Sequence, residues 1–196
     1  MGVQNRDALA RLWHRHGHLV GEPMPARGRP LVLEIGFGMG DATAQMAAAD
    51  PGRDYLAVEI HTPGIARLLA LVEERGLTNV TVARGDALEL LRGHPDDDLA
   101  AVHAFFPDPW PKARHHKRRL IQPTHVALLI DKLQQNGKIR LATDHAEYAE
   151  AMRATLTAEK RLKAGEAEHP PRPTTKFEQR AREAGRAVTD LVFVKR

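Results

Sequence analysis

An aspartate held between two prolines is the residue of this sequence best suited to chemistry. Asp108 stands in the segment FFPDPWPKARHHKRR, residues 105–119. Each proline fixes a φ angle and biases the residue before it towards extended backbone, so the carboxylate has little conformational freedom. Trp110 adds a flat apolar ring beside the acid. The pattern predicts a catalytic or ligand-holding carboxylate.

A basic run follows Trp110 and suits a phosphate backbone. It contains Lys112, His115 and His116, and four predicted contacts to phosphate, namely Arg114, Lys117, Arg118 and Arg119. Charge runs are often only solvated helix faces. Here the acid, the aromatic ring and the basic run lie within fifteen residues, and this combination favours a nucleic-acid site. We expect no metal, because adjacent histidines rarely chelate one ion and no acidic or thiol cluster accompanies them.

The element that must position Asp108 is the apolar stretch LAAVHAFF at residues 99–106. Its continuous apolar character is typical of a strand buried on both faces of a parallel sheet. In open α/β sheets, ligands bind outside the carboxyl ends of such strands. We therefore expect Asp108 to lie at a ligand-binding edge.

A second candidate site follows an earlier strand, in the stretch LVLEIGFGMGD. It predicts a buried strand, a tight turn and a helix with Asp41 as its N-cap. The turn carries three glycines, Gly36, Gly38 and Gly40. The dinucleotide fingerprint has two residues between its second and third glycines, whereas this turn has one, with Glu34 two residues before the first. This spacing favours S-adenosylmethionine over NAD.

Further acids end the strands that follow along the chain. Glu59 ends YLAVEI and is suited to accept hydrogen bonds from both ribose hydroxyls, while Asp86 follows the strand predicted at residues 80–83. Asp144 follows GKIRLAT, and the residues leave open whether it caps the next helix or faces the site. The polar loop RPTTKFE at residues 172–178 is suited to close over a substrate.

Length and composition limit the remaining possibilities. The chain has 196 residues and a net charge of +4, which fits one α/β domain at residues 31–196 preceded by a helical or irregular extension at residues 1–30. It has no cysteine, which excludes disulfides and a cysteine nucleophile. No apolar run approaches the roughly 20 residues of a membrane span, and the N-terminus lacks the apolar core of a signal peptide. We expect a soluble cytoplasmic protein.

Between about residues 31 and 193 the sequence resembles the bacterial tRNA (guanine-N7)-methyltransferase family. The segments EIGFGMG, VEIHTPGIARLL, GLTNV, FFPDPWPKARHHKRRLIQP, LATDHAEYA and RPTTKFEQR match the family's pattern in the family's order. The resemblance implies a Rossmann-like class I methyltransferase that uses S-adenosylmethionine. Its sheet would be mostly parallel, with about seven strands, helices on both faces and an antiparallel C-terminal strand.

The resemblance also implies roles for individual residues. The cofactor would be lined by Glu34, Gly36, Gly38, Gly40, Glu59, Asp86 and Asp108. Asp108 would also be the active-site acid. The substrate would contact Lys112, Asp144, Thr175, Lys176, Phe177 and Glu178. The implied activity is methyl transfer to guanine N7 of tRNA in the variable loop, by a monomer or homodimer.

Two features depart from the family's pattern, and two other functions remain open. Residues 1–30 match the family's longer basic segment poorly, and Ala181 stands where glycine is common. The first alternative is a methyltransferase acting on an exocyclic amino nitrogen of RNA, because PDPW resembles the loops of those enzymes. The second is an inactive RNA-binding protein of the same fold. A dinucleotide enzyme is disfavoured by the glycine spacing.

Overall fold

The computed structural model describes residues 3–22, 28–166 and 172–196. The chain divides into two compact units, Met1–His94 and Pro95–Arg196. The single domain expected at residues 31–196 stays a prediction. Within the described residues, no helix has the length and apolar character needed to cross a bilayer.

The described residues of the first unit form four strands and four helices. The strands are β1 (Gly17–Leu19), β2 (Leu31–Ile35), β3 (Asp54–Glu59) and β4 (Val80–Arg84). The helices are α1 (Val3–His16), α2 (Asp41–Ala49), α3 (Thr62–Glu74) and α4 (Ala87–Gly93). The strands are parallel in the order β1-β4-β3-β2. Strands β2 and β3 are almost wholly buried, as their continuous apolar runs predict.

The extension before β2 differs from its prediction in one respect. Its helix α1 packs mainly against α3, and Arg11 makes a two-pronged ion pair with Glu73, with nitrogen–oxygen distances of 2.7 and 3.0 Å. The three residues after α1, Gly17–Leu19, form β1, which pairs with β4. The sequence did not predict this strand, because three residues are too few to reveal a period.

The second unit contains strands β5 (Leu99–Phe105), β6 (Leu133–Thr143), β7 (Leu162–Ala164) and β8 (Thr189–Lys195). Its helices are α5 (Pro123–Lys132), α6 (Ala146–Ala158) and α7 (Lys176–Glu183), with a 3₁₀ helix at Ala113–Arg118. Strand β5 pairs with β6 in parallel, and β8 pairs antiparallel with both β6 and β7. The mostly parallel arrangement with an antiparallel C-terminal strand is therefore confirmed.

Candidate active site

The glycine turn between β2 and α2 uses left-handed backbone at all three predicted glycines. Their φ angles are 71°, 62° and 78° at Gly36, Gly38 and Gly40, a region that costs other residues energy because of their Cβ. Gly40 is the N-cap of α2. The prediction that Asp41 caps this helix is wrong, because Asp41 is already its first residue and lies 3.4 Å from Arg67.

Helix α3 packs directly against this turn. A Cβ added to Gly64 would lie 1.9 Å from the Gly38 carbonyl oxygen, and one added to Gly40 would lie 2.7 Å from Cβ of Leu68. Glycine at these positions therefore permits the close approach of turn and helix. Our sequence reasoning missed Gly64, although a glycine inside a helix costs about 1 kcal/mol relative to alanine and signals such a contact.

The Glu59 carboxylate holds the turn in place from the end of β3. Its Oε2 accepts a hydrogen bond from the Gly38 N–H at 3.0 Å. Its Oε1 accepts bonds from the N–H groups of Ile60 at 2.8 Å and His61 at 3.1 Å. Each carboxylate oxygen has about two acceptor positions, so capacity for a hydroxyl group remains. The predicted contact with ribose hydroxyls stays a prediction.

Glu34 is a buried carboxylate with an unsatisfied oxygen. Its residue is 3% exposed, and within the described part of the chain neither its Oε2 nor the hydroxyl of buried Thr43 has a hydrogen-bond partner. Burial raises the pKa of Glu34 to about 7, because removing the carboxylate from water disfavours its charged form. Because a buried polar atom without a partner is costly, this oxygen fits a ligand that brings a donor or a positive charge.

Asp86 caps a helix, which is a structural role separate from its predicted contact with the cofactor. It is the N-cap of α4. Its Oδ1 accepts hydrogen bonds from Leu88 N–H at 2.8 Å and Glu89 N–H at 3.0 Å. This is the usual way for an aspartate to satisfy free N–H groups at a helix start. A ligand would have to use the other oxygen, and that contact stays a prediction.

The segment carrying Asp108 begins and ends with unusual backbone. Phe106 and Trp110 have φ angles of 56° and 42°, and such conformations cost a non-glycine residue about 1–3 kcal/mol. The Phe106 N–H donates to the Ala142 carbonyl at 2.7 Å. Asp108 itself is exposed. The second unit therefore presents this carboxylate to solvent on a constrained loop. Phe106 directly precedes Pro107, and its positive φ differs from the extended backbone that the sequence predicted before a proline.

The 3₁₀ helix folds back over Trp110. The ring of His115 meets the Trp110 ring edge-on at 5.9 Å, and the Arg118 guanidinium lies 5.0 Å from the centre of the Trp110 ring. The cationic side chains of this stretch are exposed at Lys112, Arg114, Lys117 and Arg118. They are available to a phosphate backbone, and that role stays a prediction.

Arg119 differs from the rest of the basic run. Its side chain is 5% exposed and forms an ion pair with Glu147. Its Nε donates to the Pro109 carbonyl at 2.9 Å. The hydrogen bond from the Arg119 guanidinium holds the pKa of the Glu147 carboxyl below its usual range. This burial and pairing argue against the predicted contact between Arg119 and phosphate, because the guanidinium is already engaged inside the protein.

Asp144 does not cap the next helix. The N-cap of α6 is His145, whose Nδ1 accepts a hydrogen bond from the Tyr148 N–H at 3.3 Å. Asp144 is instead paired with Arg186 at 2.9 Å. Of the two interpretations that the sequence left open, the cap is therefore wrong, and contact with the substrate stays a prediction.

The first turn of α7 and the residues before it lie beside the segment that carries Asp108. The Phe177 ring stacks on the Phe106 ring with centres 6.1 Å apart, and Phe177 remains 55% exposed. The Arg172 guanidinium lies 5.5 Å from the centre of the Phe105 ring and 5.3 Å from that of Phe106. It is also paired with Glu178 at 2.6 Å and Asp190 at 2.7 Å.

The loop predicted at residues 172–178 ends at Thr175, the N-cap of α7, and the other three predicted substrate contacts lie in the first turn of that helix. The Thr175 hydroxyl caps α7 by accepting a bond from the Glu178 N–H at 3.1 Å. Glu178 is buried between Arg172 and Arg182. Lys176 and Phe177 are exposed. Thr175 and Glu178 therefore hold the start of α7, whereas Lys176 and Phe177 present side chains to solvent.

No group of three or more metal-binding side chains occurs among the described residues.

Comparison with known proteins identifies the family. A family model described as "Putative methyltransferase" matches residues 28–191. A tRNA (guanine-N(7)-)-methyltransferase from Halorhodospira halophila is 48% identical over 200 residues, which cover 95% of this chain and 87% of the relative. One from Nitrosospira multiformis is 51% identical over 176 residues, covering 87% of this chain and 77% of the relative. The chain belongs to the tRNA (guanine-N(7)-)-methyltransferase family.

The fold expected for a member of the tRNA (guanine-N(7)-)-methyltransferase family is also confirmed. A solved structure described as a SAM-dependent methyltransferase from Aquifex aeolicus matches with a TM-score of 0.58 at 10% identity. The match covers 85% of this chain and 82% of the other. At that identity the likeness concerns the fold, and it supports the Rossmann-like class I arrangement that the motifs implied.

Because of Glu34, the free energy of unfolding of this protein depends on pH. Its folded pKa of about 7 lies above the ordinary value of 4.5, so the folded state holds this proton more tightly than the unfolded chain. The free energy of unfolding therefore falls as pH rises from 4.5 through 7. We expect Glu34→Gln to be more stable than the parent at pH 8 by up to about 3 kcal/mol, and by much less at pH 5.

Urea unfolding at both pH values measures this difference. Glu74→Gln is the matched control, because it makes the same change on the exposed side of the same unit. A Glu34→Gln protein no more stable than the parent at pH 8 would show that the Glu34 carboxylate is satisfied in solution.

Proposed function

We propose that this chain transfers a methyl group from S-adenosylmethionine to N7 of a guanine in tRNA, in the variable loop. The observation that carries the proposal is 48% identity, across 95% of the chain, to a relative named for this activity. The constrained Asp108, the glycine turn and the exposed cations support it from the structure. The predicted cytoplasmic location and the monomeric or dimeric state remain predictions.

The first unit has residues that fit S-adenosylmethionine. When bound, the cofactor supplies an electrophilic methyl group on a sulfonium. The unsatisfied Oε2 of Glu34 fits the ammonium group of the cofactor's amino acid part. Apart from its chain neighbours, no described residue lies within 4 Å of the position where a Cβ would stand on Gly36, so a ligand can approach the backbone there. The free acceptor position on Oε2 of Glu59 would take a hydrogen bond from a ribose hydroxyl.

The second unit has the residues that would act on the base. Guanine N7 carries an in-plane lone pair and no proton, so its attack on a methyl group needs no strong base. Positive charge develops on the guanine ring as the bond forms. Asp108 is an exposed carboxylate on a constrained loop, and we assign it the stabilisation of this charge. Lys112, Asp144 and the exposed residues Lys176 and Phe177 would position the base, with the Phe177 ring as a stacking surface.

Labelled S-adenosylmethionine and bulk tRNA test the proposal directly. After incubation the tRNA is digested and its nucleosides are separated, and 7-methylguanosine is the expected product. A labelled guanosine methylated on its exocyclic nitrogen would favour the first alternative. Tight RNA binding without any transfer would favour the inactive binder.

The affinity for tRNA should depend steeply on salt, because exposed cations displace counterions from phosphate. Replacing Arg114 and Lys117 together by glutamine is expected to reduce the slope of log affinity against log salt by about two. Filter binding of tRNA between about 50 and 300 mM salt measures this slope.

The control for this prediction is the double change Lys160→Gln and Lys163→Gln. It removes the same charge from exposed residues at and beside β7. An equal loss of slope in both proteins would mean that net charge alone attracts the tRNA. An unchanged slope in the first protein would place the RNA away from the 3₁₀ helix.

A further inference from the structure

Two adjacent arginines of the basic run have opposite environments. The 3₁₀ helix ends at Arg118, whose side chain is exposed over Trp110. Arg119 has extended backbone, with φ −60° and ψ 141°, and this change of backbone directs its side chain into the protein. The sequence RR does not distinguish the two residues, and only the fold gives them different surroundings.

The Arg119 guanidinium is held on three sides. Its Nη1 donates to Glu147 Oε1 at 3.0 Å, and its Nη2 donates to the other oxygen of the same carboxylate. The Tyr148 ring lies 4.6 Å from the guanidinium carbon. Tyr148 is fully buried, and its hydroxyl accepts a hydrogen bond from the Ile121 N–H at 3.1 Å. A two-pronged pair over a fixed ring leaves the planar group little freedom.

A third donor of this guanidinium reaches the segment that carries Asp108. Nε of Arg119 donates to the carbonyl of Pro109 at 2.9 Å. Pro107 and Pro109 have no N–H, so the backbone on both sides of Asp108 can be tied mainly through its carbonyl oxygens. The strained backbone at Phe106 and Trp110 persists only where surrounding contacts impose it. The Arg119 bond is one such contact.

We propose that Arg119 is a positioning residue, which holds the Pro109 carbonyl and thereby the segment at residues 107–110 that carries Asp108, and that it does not bind RNA phosphate. The inference rests on the proposed function for its effect on turnover. The placement of the loop is independent of that function, so the two can fail separately.

Two substitutions separate a positioning role from a phosphate contact. Arg119→Lys keeps the positive charge and loses the planar fork, whereas Arg119→Met loses the charge as well. With either variant we expect turnover at saturating tRNA to fall about tenfold to a hundredfold, since small displacements of reacting groups have effects of this size. The salt slope of tRNA binding should stay at the parent value in both. A phosphate contact predicts near-parent turnover for the lysine variant and a slope smaller by about one for the methionine variant.

A fluorescence measurement tests the loop without any turnover. The chain has two tryptophans, Trp13 and Trp110, so a Trp13→Phe background leaves Trp110 as the reporter. Acrylamide quenching of Trp110 is expected to increase in Arg119→Met. It should also increase in Glu147→Gln, which weakens the ion pair that holds the Arg119 guanidinium. Lys117→Gln, an exposed neighbour, is the control for a local change of charge.

Increased quenching with an unchanged salt slope supports the proposal. A reduced slope in Arg119→Met overturns it, whether or not quenching changes, because Arg119 would then contact phosphate. Unchanged quenching in both Arg119→Met and Glu147→Gln also overturns it, because the segment at residues 107–110 would then not depend on Arg119 and its ion pair with Glu147. If the parent protein transfers no methyl group, the proposed function fails, while the quenching result still decides the placement of the loop.

Discussion

A tRNA that carries 7-deazaguanine at the target position is expected to bind this protein and to remain unmethylated. The substitution replaces N7 by carbon and removes the in-plane lone pair that would attack the methyl group. It keeps the exocyclic amine and the pairing edge of the base. The phosphates, which the exposed cations of the 3₁₀ helix would bind, are unchanged. We therefore expect affinity close to that of the parent tRNA and no detectable transfer above background.

The measurement combines filter binding with transfer of labelled methyl groups to the two tRNAs. The control is a tRNA with 7-deazaguanine at another position, which should be methylated normally. Methyl transfer to the modified target itself would exclude N7 and favour the exocyclic amino nitrogen. Loss of binding together with loss of transfer would instead indicate that N7 is recognised, and transfer to neither tRNA would favour the inactive binder.

Asp108→Asn is expected to lower turnover by roughly a hundredfold or more. The loss of one preorganised electrostatic group has an effect of this size in other enzymes. The change keeps the size and shape of the side chain and removes the negative charge that we assign to stabilising the methylated base. Asp108 is exposed and lies between two prolines, so the fold and the affinity for tRNA should change little. Single-turnover transfer at saturating tRNA measures the chemical step.

Asp97→Asn is the matched control for this substitution. Asp97 is also an exposed aspartate of the second unit, in the turn before β5, and has a φ angle of 55° that asparagine tolerates. Its replacement should leave turnover within about twofold of the parent, as is usual for surface changes. A folded Asp108→Asn protein with turnover equal to that of Asp97→Asn would leave the Asp108 carboxylate without a chemical role.

Local features of this protein could be predicted from its sequence because their causes are local. The glycine turn needs positive φ at positions 36, 38 and 40, and only glycine adopts it without strain. The buried strands β2, β3 and β5 are continuous apolar runs, and the prolines around Asp108 limit their own backbone. The motifs sufficed to indicate the family.

The partners of several charged side chains were decided by the tertiary structure alone. Arg119 and Arg118 are identical and adjacent in the sequence, yet Arg119 is buried because Glu147, 28 residues away, lies beside it. Asp144 pairs with Arg186 at a separation of 42 residues, and Arg172 pairs with Asp190 at a separation of 18. The backbone conformation at a turn or a proline depends on the residues next to it. The surroundings of a long charged side chain depend on which distant segments the fold brings within hydrogen-bond distance, and no local pattern records that.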